Sequence, residues 1–223
     1  MTGRDVAPEN PWLTIPLVDY QGHMAAVGQT AALRRLFSEA YEAVRPRRVA
    51  VLGCTAGADF EEVDPAVTEV AVGVDINAHY LAAGAQRSAA LGRRIEFVCG
   101  DVLNVTLSQA PFGLVHAALL LEHVDAARLF RRVHEWLAVH GTLSIVNQLP
   151  IPGVAAVSTT KYESLRILAD QMSLRSADEI EAIGAGEGFL VKTRRMLELP
   201  NGKILCHSMF EVGKATRPPV SAG

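Results

Sequence analysis

The sequence predicts an α/β protein: a three-layer sandwich in which helices cover a mostly parallel β-sheet that ends in an antiparallel hairpin. Two observations predict this class. Short apolar runs typical of buried strands alternate with segments of helical periodicity along most of the chain. Near the C-terminus the alternation stops, and two strand-like runs flank Pro200, Asn201 and Gly202, which carry the Asn-Gly signal of a hairpin turn.

The elements of the N-terminal half follow from hydrophobic periodicity, caps and breakers. Apolar residues before Pro46 recur at helical spacing, whereas residues 49–52 and 70–74 form continuous apolar runs typical of buried strands. Asn77 is a preferred N-cap residue type. These signals predict a helix over residues 23–44, strands over 48–53 and 67–75, a helix over 77–91 and a strand over 94–101.

The second half continues the alternation before it ends in the hairpin. Asp125 and Ser176 are N-cap residue types, and Gly141 is predicted to lie just past the end of the helix that Asp125 begins. Residues 150–175 have no place in the sheet and follow the ligand-facing end of a strand, so we predict that they form a substrate cap. The remaining predicted elements are strands over 112–117 and 141–149, a short helix after the capping box Ser176–Glu179, and hairpin strands over 189–199 and 203–212.

The composition argues against several classes of protein. The chain has 223 residues, and 21 Lys+Arg against 24 Asp+Glu leave a net charge of −3, without the basic excess of a nucleic-acid binder. Aromatic residues make up 6%, which is low for a platform that stacks bases. No apolar run approaches the ~18 residues of a membrane span, and the first 20 residues lack the apolar core of a signal peptide. We therefore expect a cytoplasmic protein with neither a nucleic-acid nor a membrane partner.

The cysteine pattern also favours a cytoplasmic protein. Cys54, Cys99 and Cys206 are odd in number, lack CxxC spacing and lie in apolar stretches, so we predict reduced, buried thiols. A chain of this length buries a sizeable core without disulfides or a structural metal, and no metal site is expected. The sequence leaves open whether the protein forms a homodimer.

Three features fall at the carboxyl ends of three successive predicted strands. They are the loop from Gly53 to Gly57, Asp75 and Asp101. Glycines allow close approach of the backbone to a ligand, a carboxylate can accept both ribose hydroxyls, and a second one can accept from an adenine amino group. Each feature alone is also explained by ordinary turn formation at a strand end. Together, in this order, they predict a nucleoside site.

At these residues the sequence resembles the class I, Rossmann-like S-adenosylmethionine-dependent methyltransferases, over roughly Arg34 to Val212. The hairpin resembles the family's reversed last strand. Four segments carry the resemblance to the family's motifs: Val49-Ala-Val-Leu-Gly53-Cys-Thr-Ala-Gly57, Gly73-Val-Asp75-Ile-Asn, Cys99-Gly-Asp101-Val, and Leu114-Val-His116 through Leu121-Glu122-His123-Val.

The resemblance implies a Rossmann-like sandwich with a seven-stranded sheet and S-adenosylmethionine as cofactor. Gly53 and Gly57 would bound the methionine loop, Asp75 would hold the ribose, and Asp101 with the backbone of Val102 would read adenine. The full set of cofactor-binding residues implied is Gly53, Cys54, Thr55, Gly57, Asp75, Ile76, Asp101, Val102 and Leu119.

The first motif departs from the family pattern at two positions. Val51 stands where an acidic residue is usual, and Thr55 stands at the usual middle glycine. Either a backbone carbonyl near Gly53 or a residue such as Asp59 would then replace the missing acid. The first motif also counts against a dinucleotide fingerprint. That fingerprint would need glycines at positions 53, 55 and 58, where the chain has Gly53, Thr55 and Ala58.

Methyl transfer depends mainly on positioning, so a general base is optional. His116 is the first candidate, because it closes an apolar strand on the predicted ligand side and the imidazole pKa of ~6.5 suits proton transfer near neutrality. The alternative is that it hydrogen-bonds a neighbouring loop. Glu122 and His123 are further catalytic candidates, with packing or helix capping as their alternative.

Four residues are candidate substrate contacts. Tyr20 and His23 belong to an N-terminal segment that is expected to fold over the cofactor, although packing against the sheet edge explains them as well. Gln148 ends the fifth strand, and Tyr162 belongs to the predicted cap.

We therefore predict three regions: an N-terminal segment and lid over residues 1–22, a methyltransferase domain over 23–212 that includes the cap at 150–175, and a C-terminal tail over 213–223. The predicted function is methyl transfer from S-adenosylmethionine to an O, N or S atom of a small molecule. The alternative is a non-catalytic regulatory protein that binds S-adenosylmethionine or S-adenosylhomocysteine.

Overall fold

The computed structural model describes residues 10–92 and 94–213. Within them, a seven-stranded sheet has the order β3-β2-β1-β4-β5-β7-β6. The strands β1 to β5 run parallel, and β7 pairs antiparallel with both β5 and β6. The strands are β1 (Arg48–Leu52), β2 (Val70–Asp75), β3 (Glu96–Cys99), β4 (Phe112–Ala118), β5 (Leu137–Gln148), β6 (Phe189–Glu198) and β7 (Ile204–Val212). The predicted fold class is confirmed.

The α-helices lie before, between and after the parallel strands. They are α1 (Leu17–Ala26), α2 (Gln29–Val44), α3 (Ala78–Ala90), α4 (Ala126–Trp136) and α5 (Ala177–Gly186). Three predicted N-caps are confirmed: the side chains of Asn77 and Asp125 accept from backbone N–H groups of α3 and α4, and Ser176 forms the full capping box with Glu179.

The strand β1 is buried on both faces, which explains its uninterrupted apolar sequence. Ala50 and Leu52 pack in a cluster with residues of α4 and α5, whereas Val49 and Val51 pack in a second cluster with Phe37 of α2. Successive side chains of a strand point to opposite faces, so this alternation places one hydrophobic layer on each side of the sheet.

Three predicted boundaries are wrong. The helix predicted over residues 23–44 is two helices, because Gly28 adopts φ 75° between α1 and α2. Gly141 does not follow a helix end: α4 ends at Trp136, and β5 runs from Leu137 through Gly141, where a Cβ would lie 2.9 Å from the Phe112 carbonyl oxygen. The third strand ends at Cys99, so Asp101 lies in the loop that follows it.

The prediction for the cysteines holds for two of the three. Cys54 and Cys206 are buried free thiols, but Cys99 is exposed. The reason is that β3 lies at an edge of the sheet and is covered less completely than the central strands.

The N-terminal segment and the cap segment (residues 150–175) pack on each other above the sheet. Ile15 shares a buried cluster with Leu165 and Leu168, and the Ser164 hydroxyl donates to Asp19 at 2.7 Å. We call residues 10–24 and the cap segment together the roof. Residues 1–9 of the predicted lid and 214–223 of the predicted tail lie outside the described residues. The division into three regions stays a prediction.

Candidate active site

A cavity of about 570 Å³ lies between the carboxyl ends of the parallel strands and the roof. This volume is in the range of binding sites for cofactors and drug-sized molecules. Seven of the residues predicted to bind cofactor line it: Gly53, Thr55, Asp75, Ile76, Asp101, Val102 and Leu119. The structure therefore brings the motifs of three strand ends to one cavity.

Two residues of the predicted cofactor set do not line the cavity. Cys54 is buried in the cluster below, where a Cβ on Gly73 would lie 2.7 Å from its Sγ. Gly57 adopts φ 64°, and a Cβ there would lie 3.0 Å from the ring of Phe60. Both residues therefore shape the loop from inside the core, and neither lines the cavity.

The first loop is held by backbone hydrogen bonds and by positive φ angles. The N–H groups of Gly53 and Cys54 both donate to the Val74 carbonyl, at 2.8 and 3.0 Å. Gly53 has φ 67° and Thr55 has φ 47°. This region suits glycine, but a β-branched residue there is strained, so Thr55 retains the turn of the usual middle glycine at an energetic cost.

The carboxylate of Asp75 lies in the cavity wall with each oxygen held by one backbone N–H. Oδ2 accepts from Thr55 and Oδ1 accepts from Asn77, both at 2.9 Å. Burial raises the pKa of Asp75, and these N–H donors oppose the increase because they favour the charged form. Each carboxylate oxygen can accept a second hydrogen bond, so the fixed carboxylate suits a pair of neighbouring hydroxyl groups.

The carboxylate of Asp101 is fixed in a similar way beyond β3. Oδ1 accepts from the backbone N–H of Leu103 at 2.9 Å, and Oδ2 accepts from the amide of Asn104 at 2.6 Å. Val102 follows directly and offers its backbone to the same cavity. A carboxylate beside a backbone N–H and an apolar side chain suits the edge and face of a purine base.

The two departures in the first motif are visible in the structure. Val51 is 2% exposed and packs in the apolar core, so it offers no polar group to a ligand. The carboxyl group of Asp59 does not line the cavity, but burial raises its pKa to about 6. Burial also raises the pKa of the Tyr20 hydroxyl, and the negative charges of Asp59 and Asp75 add to this shift. Asp59 therefore affects the wall of the cavity through its charge.

His116 does not lie where the sequence analysis placed it. The strand β4 continues to Ala118, and His116 is 0% exposed on the face that packs against α2, with its ring edge-on to Phe37 at 5.1 Å. Its Nδ1 is 2.9 Å from the Ser144 hydroxyl, which is in turn 2.9 Å from Nε2 of His207. Burial lowers the pKa of His116 to about 3. The imidazole does not line the cavity, so this geometry argues against the predicted general base.

Glu122 and His123 lie on different sides of the cavity wall. Glu122 is 2% exposed, and its Oε1 accepts from the Gln148 N–H at 2.7 Å, while Oε2 has no partner among the described residues. Burial raises the pKa of this carboxyl to about 7. His123 lines the cavity edge-on to Trp12 at 5.0 Å, and burial lowers its pKa to about 4. Of the predicted pair, only His123 lines the cavity.

Three of the four predicted substrate contacts line the cavity. They are Tyr20, His23 and Gln148. Nδ1 of His23 is 3.0 Å from the Thr160 hydroxyl, which ties α1 to the cap segment. Tyr162 lies outside the cavity, because its ring packs so closely on α1 that a Cβ on Gly22 would be 2.2 Å from it. Tyr162 therefore stabilises the roof.

Lys203 is a cavity residue that the sequence analysis missed. It is 2% exposed and donates from Nζ to the Ala156 carbonyl at 2.6 Å. A lysine just after an Asn-Gly turn is typical of an exposed hairpin, and its burial depends on the distant cap segment. Nothing in the local pattern distinguishes it. In residues 10–92 and 94–213, no group of three or more potential ligand side chains is arranged to hold a metal ion, nor is any helix there long and apolar enough to cross a membrane.

Comparisons with known proteins agree with this geometry. A sequence profile described as a methyltransferase domain matches residues 49–141. The chain is similar to the N-methyltransferase NodS from Bradyrhizobium japonicum in complex with S-adenosyl-L-homocysteine, with TM-score 0.64 and 15% identity over 83% of this chain and 88% of that one. It is also similar to an S-adenosylmethionine-dependent methyltransferase from Mesorhizobium loti, with TM-score 0.60 and 19% identity over 73% and 89%. A further similar structure is the [4+2]-cyclase SpnF, with TM-score 0.65 and 14% identity over 83% of each chain.

A search of curated protein sequences finds no match. At these identities the solved structures establish a shared fold. The profile and the strand order together define a Rossmann-like methyltransferase domain. The profile over residues 49–141 and the strand order agree with the resemblance of the strand-end motifs to the class I S-adenosylmethionine-dependent methyltransferases, and S-adenosylmethionine is the cofactor of that family.

Proposed function

We propose that this protein transfers a methyl group from S-adenosylmethionine to an O, N or S atom of a small molecule. The observation that carries the proposal is the shared cavity of Asp75 and Asp101, two carboxylates held by neighbouring backbone and amide groups at the ends of adjacent strands. We call the part of the cavity around Gly53, Asp75 and Asp101 the nucleoside end. Its two carboxylates are acceptors of the kind that ribose hydroxyls and an adenine amino group need.

The rest of the cavity supports an acceptor of small size. We call this part the acceptor end. It is enclosed by the roof and is lined largely by apolar side chains: Trp12, Met24, Val157, Leu165, Leu168 and Met172. Apolar walls exclude water from the reacting atoms and orient an acceptor against the cofactor, and such positioning supplies several kcal/mol of a transfer barrier.

Bound S-adenosylmethionine would supply a methyl group already activated by its sulfonium. The protein then has to bind, orient and, for an acceptor that carries a proton, receive that proton. His23 and His123 line the cavity, and burial lowers the pKa of both, so both imidazoles are neutral at pH 7. A neutral imidazole can accept a proton, whereas Glu122 acts on the cavity only through its bond to the Gln148 backbone.

Binding and turnover of the full chain test the proposal. We expect calorimetry to show binding of S-adenosylmethionine and S-adenosylhomocysteine, and Asp75→Ala to weaken both at least ~10-fold, because a charge-assisted hydrogen bond contributes about 1.5–3 kcal/mol. Asp75→Asn is the matched variant, since it keeps the shape of the side chain and removes its charge. Circular dichroism of both variants checks the fold, because Asp75 also holds two backbone N–H groups.

A nucleoside analogue makes the test specific for the ribose. Methylthioadenosine should bind the wild-type protein more tightly than its 2′-deoxy analogue, and this preference should disappear in Asp75→Ala. An equal loss for both ligands on substitution would place the ribose elsewhere.

The second candidate function is the non-catalytic regulatory protein. It is favoured by Val51 and Thr55, which replace an acidic residue and a glycine of the first motif. Binding of both nucleosides without methyl transfer to a broad panel of small-molecule acceptors would support this candidate. Absence of binding to either nucleoside would exclude both functions.

A further inference from the structure

A buried cation lies in the acceptor end without a carboxylate to pair with. Lys203 is 2% exposed and lines the cavity, and its Nζ donates to one carbonyl oxygen, that of Ala156. The same carbonyl accepts from Nε2 of Gln148 at 3.1 Å. Among residues 10–92 and 94–213, no aspartate or glutamate forms an ion pair with Lys203.

This arrangement is unfavourable in the free protein. An ammonium group removed from water loses its hydration and needs an anion or several hydrogen bonds to compensate. A single carbonyl that already accepts from Gln148 offers little compensation. Burial accordingly lowers the pKa of Lys203 to about 8, and the charge of Lys203 contributes to the lowered pKa of His23. The acceptor end therefore contains a positive charge that no carboxylate among the described residues neutralises.

The position of Lys203 separates it from the nucleoside end. Lys203 directly precedes β7, whereas Gly53 follows β1. In the sheet, β4 and β5 lie between β1 and β7. Three strand spacings correspond to roughly 14 Å. The acceptor end also carries apolar side chains from the cap segment, those of Leu165, Leu168 and Met172. A ligand that satisfies this site combines an anionic group with an apolar body.

We propose that the methyl acceptor is a small apolar or aromatic carboxylic acid whose carboxylate pairs with Lys203, an inference that rests on the proposed function. A monoanion matches the single positive charge of Lys203. Among the described residues that line the cavity, the one arginine is Arg128, which contacts Asn104 beside Asp101, so a dianion at Lys203 would leave excess negative charge. The carboxylate can thus hold the acceptor while the roof covers its apolar part.

Probe acids and their amides test the charge directly. The full chain, saturated with S-adenosylhomocysteine at pH 7, is titrated calorimetrically with benzoate, phenylacetate and 3-phenylpropionate and with the primary amide of each. Phenylphosphonate serves as the more highly charged probe. The variants are Lys203→Met, which keeps the length and apolar stem of the side chain, and Lys192→Met as the matched control, since Lys192 is an exposed lysine on β6 paired with Glu211.

We expect at least one acid to bind the wild-type protein at least ~10-fold more tightly than its amide, because a charge-assisted bond replaces a neutral one. Lys203→Met should remove this preference, Lys192→Met should keep it, and both variants should bind S-adenosylhomocysteine within twofold of the wild type. Acids and amides that bind equally, or acids that do not bind at all, would overturn the proposal. So would a preference that survives in Lys203→Met, or tighter binding of phenylphosphonate than of every acid.

Failure of this inference is distinguishable from failure of the proposed function. A ~10-fold loss of S-adenosylhomocysteine affinity in Lys203→Met would assign Lys203 to the cofactor's own carboxylate, which overturns the inference and leaves the nucleoside site intact. If the wild-type protein does not bind S-adenosylhomocysteine, the proposed function fails, and with it the identification of the bound acid as a methyl acceptor.

Discussion

The buried imidazole of His116 should make the free energy of unfolding depend on pH, and one substitution can isolate this contribution. The folded state holds His116 neutral, with a pKa near 3 against 6.5 for an exposed histidine, because burial penalises its charged form. Between these two values the unfolded chain binds the proton and the folded chain does not. The contribution of His116 to stability is therefore complete above pH 6.5 and is lost as the pH falls towards 3.

The size of the effect follows from these two pKa values. A pH of 5 is 1.5 units below the pKa of His116 in the unfolded chain, and it is above the pKa of about 3 in the folded protein. Each pH unit in this interval corresponds to about 1.36 kcal/mol. The wild-type protein should therefore lose about 2 kcal/mol of unfolding free energy between pH 7 and pH 5 through His116. Glu122 and Asp59, whose pKa values are raised by burial, act in the opposite direction, so the total pH dependence of the wild type is smaller.

Urea unfolding of wild type and His116→Gln at pH 5, 6 and 7 measures the contribution, because all other groups cancel in the difference. We expect the variant to be less stable at pH 7 and to lose about 2 kcal/mol less than the wild type on acidification to pH 5. Ser144→Ala is the control: it removes the contacts at 2.9 Å to His116 and to His207 but leaves both imidazoles buried, so it should keep the wild-type pH dependence. Parallel pH curves for wild type and His116→Gln would refute the account.

Two further substitutions test the strained and charged groups around the cavity. As the pH rises from 5 to 8, the unfolding free energy of Glu122→Gln should increase by about 2 to 3 kcal/mol relative to that of the wild type. The reason is that the raised pKa of about 7 makes the folded wild-type protein lose the Glu122 proton in a buried site, at a cost in stability that the variant does not have. Thermal unfolding at both pH values measures this, and a constant difference would contradict it. Thr55→Gly should raise the unfolding free energy by about 1 kcal/mol, since glycine adopts φ 47° without strain, whereas Thr55→Val, which keeps the branched Cβ, should not. Urea titration compares the three proteins, and a less stable glycine variant would rule out strain at this turn.

Most of the fold was predictable because its signals are local. The uninterrupted apolar runs of the central strands reflect burial on both faces, and N-caps such as Asn77 and Asp125 are specified by one side chain each. The convergence of Asp75 and Asp101 was predictable for a topological reason: parallel strands present their carboxyl ends at the same edge of a sheet.

The errors occur where the outcome depends on contacts distant in sequence. Alternation along β4 shows that His116 shares a face with Leu114, but only the packing of α2 determines that this face is closed to ligands. Lys203 follows a hairpin turn that is typically exposed, and its burial depends on Ala156, 47 positions earlier. Cys99 lies in an apolar run, yet its strand is at an edge of the sheet, which the run itself does not reveal.

The two ends of the cavity have different structural support. The nucleoside end is built from strand ends whose positions are fixed by the hydrogen-bonded register of the whole sheet. The acceptor end is built mainly from the roof, where residues 150–175 contribute no strand to the sheet. We therefore expect that exchanging residues 150–175 for a different loop changes the acceptor end, because those residues contribute no strand to the sheet that positions the nucleoside end.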